Sequence, residues 1–192
     1  MNSGEQMDRQ TRILDAAMDL LSRHGISGVS MRAVAREAGV ALGLVNYYYD
    51  DKTTLIRAAL RRVDEHDVAL VAPDPSLAPD EQLRAALRRV AGADLLTTRY
   101  LSLRLHLWAL AQADEDYAQI NAAAFDRYID GLATLVSNAN PGLSWEACRE
   151  RGAEIVVIQN GVWLTALLGV DKASIERSIA RTEQIAFAPA PD

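Results

Sequence analysis

The sequence predicts an all-α protein of about nine helices in two regions. Three observations predict it. Apolar residues recur at helical spacing from Ile13 onward. Serines, aspartates, glycines and prolines fall where helices start and stop. The ambiguous stretch, where Leu101, Leu103, Leu105 and Leu107 alternate as in a strand, has no second strand to pair with.

Each element has a local reason. Ile13, Ala16, Ala17, Leu20 and Leu21 form one apolar helical face, and Gly25 stops that first helix as a C′ glycine does. Ser30 is a good N-cap for the second helix, which ends at Gly39. Residues 41–48 form another short helix. Asp51 caps the fourth, which runs to about Val71 before Pro73 and Pro75 break it. Pro79 occupies a first-turn position, so the fifth helix runs from there to about Ala91. Residues 97–112 read as helix because Tyr100, Leu103, Leu107 and Leu110 share a face. Asp114, Glu115 and Asp116 load the first turn of the seventh helix with favourable negative charge, and Pro141-Gly142 ends it. Ser144 caps an eighth helix through Leu168, which Gly169 closes. Asp171 opens a last helix to about Ile185, and the tail AFAPAPD is expected to fray.

Composition narrows the function. The chain has 192 residues, 49% hydrophobic and 24% charged, which suits one domain or a small one fused to a medium one. Met1 to Arg12 is polar throughout, unlike a signal peptide. The longest uncharged run, Ile155 to Val170, is sixteen residues and holds Gln159 and Asn160, so it reads as a buried helix. A cytoplasmic protein with no membrane partner is expected. The single Cys148 excludes an internal disulfide and a cysteine-based zinc site. His24, His66 and His106 lie on three different helices without HExxH-type spacing, Cys148 has no obvious histidine partner, and no glycine-rich phosphate loop occurs. No catalytic residue, metal or cofactor is expected, and the enzyme reading falls away. The net charge is −6, but it divides unevenly: residues 1–62 hold nine basic and seven acidic side chains, and residues 63–192 hold eleven and nineteen. A mildly basic end on an acidic body is what a chain meeting phosphate at one end shows.

The most informative stretch is Ser30 to Leu55, SMRAVAREAGVALGLVNYYYDDKTTL. Two short helices joined by a tight glycine turn make a helix-turn-helix, whose second helix fits a DNA major groove. Ala35 must be small where the second helix crosses it. Gly39 supplies the turn's backbone angles. Val34, Val40 and Val45 are expected to fill the small core.

With its flanks, LLSRHGISGVSMRAVAREAGV and LVNYYYDDKTTL, this stretch resembles the TetR family of bacterial regulators over residues 8–60. The family's closing pattern is carried here by Tyr48, Tyr49, Asp50-Asp51, Lys52 and Leu55. The later segments RYLSLRLHLWALAQADEDYAQINAAAFDRYIDGL and VVIQNGVWLTALL are similar to the choline-responsive BetI-like branch, with Asn160 to Leu164 in place of its tryptophan-containing segment. Two positions depart from the family pattern. Ala41 stands where Ser or Thr usually caps the recognition helix, and Asp50 puts negative charge beside the expected phosphate.

The resemblance implies residues 1–52 as a three-helix DNA-binding domain and 53–192 as a ligand-binding and dimerisation domain. It implies DNA contacts at Arg32, Ala41, Leu42, Gly43, Asn46, Tyr47, Tyr48 and Lys52. Arg32 is placed for phosphate or a guanine edge, Asn46 for a base edge and Leu42 for a thymine methyl. Tyr47 and Tyr48 donate to phosphate, Lys52 joins the free N–H groups of the fourth helix as an anion site, and Tyr49 packs in the core. The expected partners are a palindromic double-stranded operator, a small-molecule effector and a second copy of the chain. The apolar excess at Ile155, Val156, Val162, Leu164, Ala166 and Leu167 fits the pairing of two copies. Tyr100, His106, Trp108, Asn121, Phe125, Tyr128, Gln159, Asn160 and Trp163 are the candidate effector contacts, and their aromatic faces suit an organic cation. A repressor is the default expectation. An activator, a drug or efflux sensor, and a helical interaction module with weakened DNA binding are the alternatives.

Overall fold

The computed structural model describes residues 3–169 and 171–189. Met1 and Asn2 of the polar start, Val170 of the uncharged run and the last three residues of the tail lie outside them. The described residues form nine helices and no strand: α1 (Ser3–Gly28), α2 (Met31–Ala38), α3 (Leu42–Tyr48), α4 (Lys52–Ala69), α5 (Pro79–Arg89), α6 (Thr98–Ala113), α7 (Glu115–Ala139), α8 (Trp145–Leu167) and α9 (Lys172–Ala186). The alternating leucines are helical, as the missing partner strand required.

The helix ends are made by the side chains that the sequence offers. The Ser30 hydroxyl accepts from the Ala33 N–H at 3.1 Å, Asp51 from Thr54 at 2.7 Å, Ser144 from Ala147 at 3.2 Å and Asp171 from Ser174 at 2.9 Å. The Thr54 N–H holds the Asp51 carboxyl below the usual aspartate range. Gly25 interrupts α1 at φ 62°, ψ −168°, and Gly39 ends α2 at φ 64°, ψ 38°, both conformations that side chains disfavour. Ala41 has the extended backbone of an N-cap, φ −67° and ψ 142°, but no side-chain bond.

The chain forms two compact units. One comprises the chain up to Asp64 together with Ser102–Asn121; the other comprises Glu65–Leu101 and the chain from Ala122 on. In the first, α2 packs on α1 and on α3. The α1 face Ile13, Ala16, Ala17, Leu20 and Leu21 is buried, as are Val34, Ala35, Ala38 and Val45. Val40, expected in this small core, is only half-buried, because it lies in the turn after Gly39. The second unit has a core of Leu83, Ala86 and Leu87 from α5, Tyr128, Ile129, Leu132, Ala133, Leu135 and Val136 from α7, Cys148, Ile155 and Val156 from α8, and Ala186 from α9. Each large aliphatic side chain there contributes about 1.5–3 kcal/mol by leaving water.

The apolar excess of α8 lies elsewhere than its sequence suggests. Ile155, Val156 and Val162 are consumed by the core, and Ala166 and Leu167 are half-buried. The exposed apolar face is Val157 (70%), Gly161, Leu164 (41%) and Leu168 (75%). Their spacing of i, i+4, i+7 and i+11 makes one stripe. A sixteen-residue apolar run cannot reveal which of its faces the core takes.

Two substitutions test the turn. Ala41→Ser supplies the missing cap on a backbone already shaped for it and is expected to raise stability by about 1 kcal/mol. Gly39→Ala forces a side chain into the left-handed region and is expected to cost about 1 kcal/mol. Urea denaturation of both variants checks the pair.

Candidate functional site

Six contacts tie the first unit together. The Arg12 guanidinium donates to the Ala38 carbonyl at 2.7 Å, and the Lys52 ammonium donates to the Ile26 carbonyl at 2.6 Å. The Arg57 guanidinium pairs with Asp116 at the start of α7. Arg104 meets the buried Asp64 carboxylate at 3.4 Å and lies 5.1 Å from the Trp108 ring centre. The His106 ring covers Gly25, where an added Cβ would stand 3.2 Å from the imidazole.

This frame presents α3. Gly43, Asn46 and Tyr47 fall at i, i+3 and i+4 and are exposed, Tyr47 to 68%. A Cβ on Gly43 would meet nothing within 4 Å, so the start of α3 is open to close approach. Leu42 and Tyr48 are half-buried at the flanks, and Ala41 and Arg32 are exposed. The Tyr47 and Tyr48 rings meet edge to face with centres 5.2 Å apart. Tyr49 is buried to 4% exposure, which separates it from its two neighbours, and burial pushes its phenol up. Asp51 is occupied as a cap, whereas Asp50 is exposed beside it.

The second unit holds a polar cluster in its core. The Tyr100 hydroxyl donates to the buried Asp67 carboxylate. The Tyr100 ring lies edge-on to Trp163 and to His66, each with centres 6.0 Å apart. Trp163 Nε1 donates to the Val90 carbonyl at the end of α5, at 2.9 Å. The Tyr128 hydroxyl donates to Gln159 Oε1 at 2.9 Å. Gln159 is 1% exposed, and its Nε2 has no hydrogen-bond partner among the described residues. A buried donor left so costs about 1–3 kcal/mol.

The nine candidate effector contacts are distributed over the two units. Tyr100 with Trp163, and Tyr128 with Gln159, are brought together in the second unit. Asn160 is half-buried there and Phe125 is 38% exposed. His106, Trp108 and Asn121 belong to the first unit. Asp64, Asp67 and Arg104 were missed from sequence. Their signal is there: Leu60, Val63, Asp64, Asp67 and Val71 keep helical spacing, so two aspartates continue the apolar face of α4.

Comparison with known proteins agrees with this layout. Residues 13–59 match the bacterial regulatory proteins of the TetR family, and residues 79–186 match the BetI-type transcriptional repressor C-terminal domain. The HTH-type transcriptional regulator BetI of Klebsiella pneumoniae (strain 342) is 24% identical over 169 residues, covering 86% of this chain and 85% of the relative. A transcriptional regulator from Pseudomonas aeruginosa PAO1 has the same fold, with a TM-score of 0.77, 22% identity and coverage of 93% of this chain and 88% of that one. A regulator from Rhodococcus sp. RHA1 superposes with a TM-score of 0.76 at 20% identity, covering 95% and 99%. Helix-turn-helix, helical C-terminal region and relatives all describe a regulator of transcription and not an enzyme, and the chain belongs to the TetR family, with a C-terminal region of the BetI type.

Proposed function

We propose that this protein is a cytoplasmic repressor, a homodimer that grips a palindromic operator and leaves it when a small organic cation binds. The observation that carries the DNA reading is the exposed α3 face of Gly43, Asn46 and Tyr47, flanked by Leu42 and Tyr48. Arg32, in the first turn of α2, reaches toward a phosphate or a guanine edge. Lys52 is held at Ile26 by one of its three N–H bonds, which fixes the ammonium and leaves two donors for phosphate. Residues 1–52 read DNA in this scheme, and 53–192 pair the subunits and hold the effector. Among the described residues no helix is long and apolar enough to cross a membrane.

Pairing uses the α8 stripe of Val157, Gly161, Leu164 and Leu168. Burying it against its own copy removes apolar surface that a monomer leaves in water. Two-fold pairing also sets two recognition helices one DNA turn apart, roughly 34–36 Å, or a multiple of that. The effector reading rests on Asp67, Tyr100 and Trp163, a buried carboxylate beside two aromatic rings. Such a group attracts a quaternary or protonated amine through charge and ring faces together. The effector favours one spacing of the recognition helices and shifts the population toward it, with α4 as the lever. A helical interaction module is the second reading, favoured by the uncapped Ala41 and the exposed Asp50.

Three outcomes are expected. In a gel shift on the promoter of its own or the adjacent gene, binding falls steeply with salt. There Arg32→Ala and Lys52→Ala each weaken binding roughly tenfold, about 1.4 kcal/mol. Folded protein that binds neither promoter sinks the DNA reading in favour of the interaction module. In sedimentation, wild type runs as a dimer and the Val157→Glu, Leu164→Glu double variant as a monomer; a variant that stays dimeric rules out the α8 stripe. Calorimetric titration with choline, betaine aldehyde and polyamines gives heat from at least one, reduced by Asp67→Asn. No heat from any of them removes the cation.

A further inference from the structure

The second unit contains a buried donor that has no acceptor among the described residues. Gln159 is 1% exposed, and its Oε1 is engaged by the Tyr128 hydroxyl at 2.9 Å, which orients the amide. The Nε2 is left without a hydrogen-bond partner among the described residues. Tyr128 is itself buried at 7%, so solvent does not reach the amide from that side. Native cores leave few polar groups in this state, and each one calls for an explanation.

The surroundings point to what is taken up. Gln159 lies four residues before Trp163 on α8, one turn and about 6 Å along the helix. Trp163 faces Tyr100, whose hydroxyl bonds to Asp67. A separation of about 6 Å is within the length of one small molecule. We infer that Gln159 is a specificity-determining residue for the effector, its Nε2 donating to an oxygen acceptor that lies close to the group held at Tyr100 and Trp163. The effector class is then a small molecule with a carbonyl, carboxylate or ether oxygen a few bonds from its bulky head. This rests on the reading of the second unit as the effector site, and it stands whether or not the head carries charge.

Three matched probes separate the two claims. (2-Oxopropyl)trimethylammonium has both the cation and the carbonyl. Isobutyltrimethylammonium keeps the charge without the oxygen. 4,4-Dimethylpentan-2-one keeps the oxygen without the charge. Calorimetry on the full chain is expected to show the first bound roughly tenfold or more tighter than the second, because a site built to hydrogen-bond rejects the analogue lacking the group. Gln159→Met abolishes that preference and brings the two cations to similar affinity; Gln159→Leu replaces it if the methionine variant does not fold. Ketone binding that depends on Gln159, with no binding of isobutyltrimethylammonium, refutes the cation and supports the acceptor. Equal affinity for the two cations, a preference that survives both variants, or no binding of either carbonyl probe overturns the inference.

Discussion

The DNA-facing helices depend on how two helix ends are satisfied. An α-helix leaves its last carbonyls without partners, and a buried or crowded end must find donors. Here both donors are cationic and both come from distant helices. Arg12 of α1 closes the end of α2 at Ala38, and Lys52 of α4 closes the end of α1 at Ile26. Charge-assisted bonds of this kind are roughly twice as strong as neutral ones. They tie α1, α2 and α4 into one frame, and α3, seven residues long and uncapped, takes its position from that frame. A helix so short has little stability of its own. Its orientation is a property of its neighbours.

The same logic runs the other way in the second unit. There the unusual cost is polar. Asp67 is a carboxylate removed from water, and Gln159 holds an amide whose second half is idle. The Asp67 carboxylate is met by the Tyr100 hydroxyl, whereas the Gln159 Nε2 has no hydrogen-bond partner among the described residues. A buried donor without an acceptor costs about 1–3 kcal/mol, so the idle half of the Gln159 amide is the feature of this core that calls for an explanation. Trp163 shows the contrast: its one polar atom is fully used by Val90, so it is a structural anchor that also offers a ring face.

Much of this was legible in the sequence because it is local. Ser30, Asp51, Ser144 and Asp171 each cap the helix that follows, and a cap needs information from only four residues. Gly39 likewise announces a turn that no side chain fits easily. The separation of Tyr49 from Tyr47 and Tyr48 came with the family resemblance and not with helix periodicity, since Tyr49 lies just past the end of α3 in extended backbone. What was not legible is pairing across long separations. The division of the nine candidate effector contacts between two units depends on which segment of α6 and α7 packs where. The exposed stripe of α8 was misplaced because nearly every residue from Ile155 to Leu168 is apolar, so periodicity carried no contrast. Asp64 and Asp67 were visible as charges but not as buried ones, because their partners Arg104 and Tyr100 lie 40 and 33 residues away.

Gly25 joins two requirements in one residue. Its backbone sits at φ 62°, and the space its side chain would need is filled by His106. Relaxing either requirement alone gains nothing, since any L-residue at 25 meets both the strain and the ring. The two positions, 81 residues apart, are therefore coupled through one contact. A side chain at the first position would bring its Cβ to 3.2 Å from the imidazole, so the ring would have to shift by a few tenths of an ångström while the backbone bore the left-handed strain.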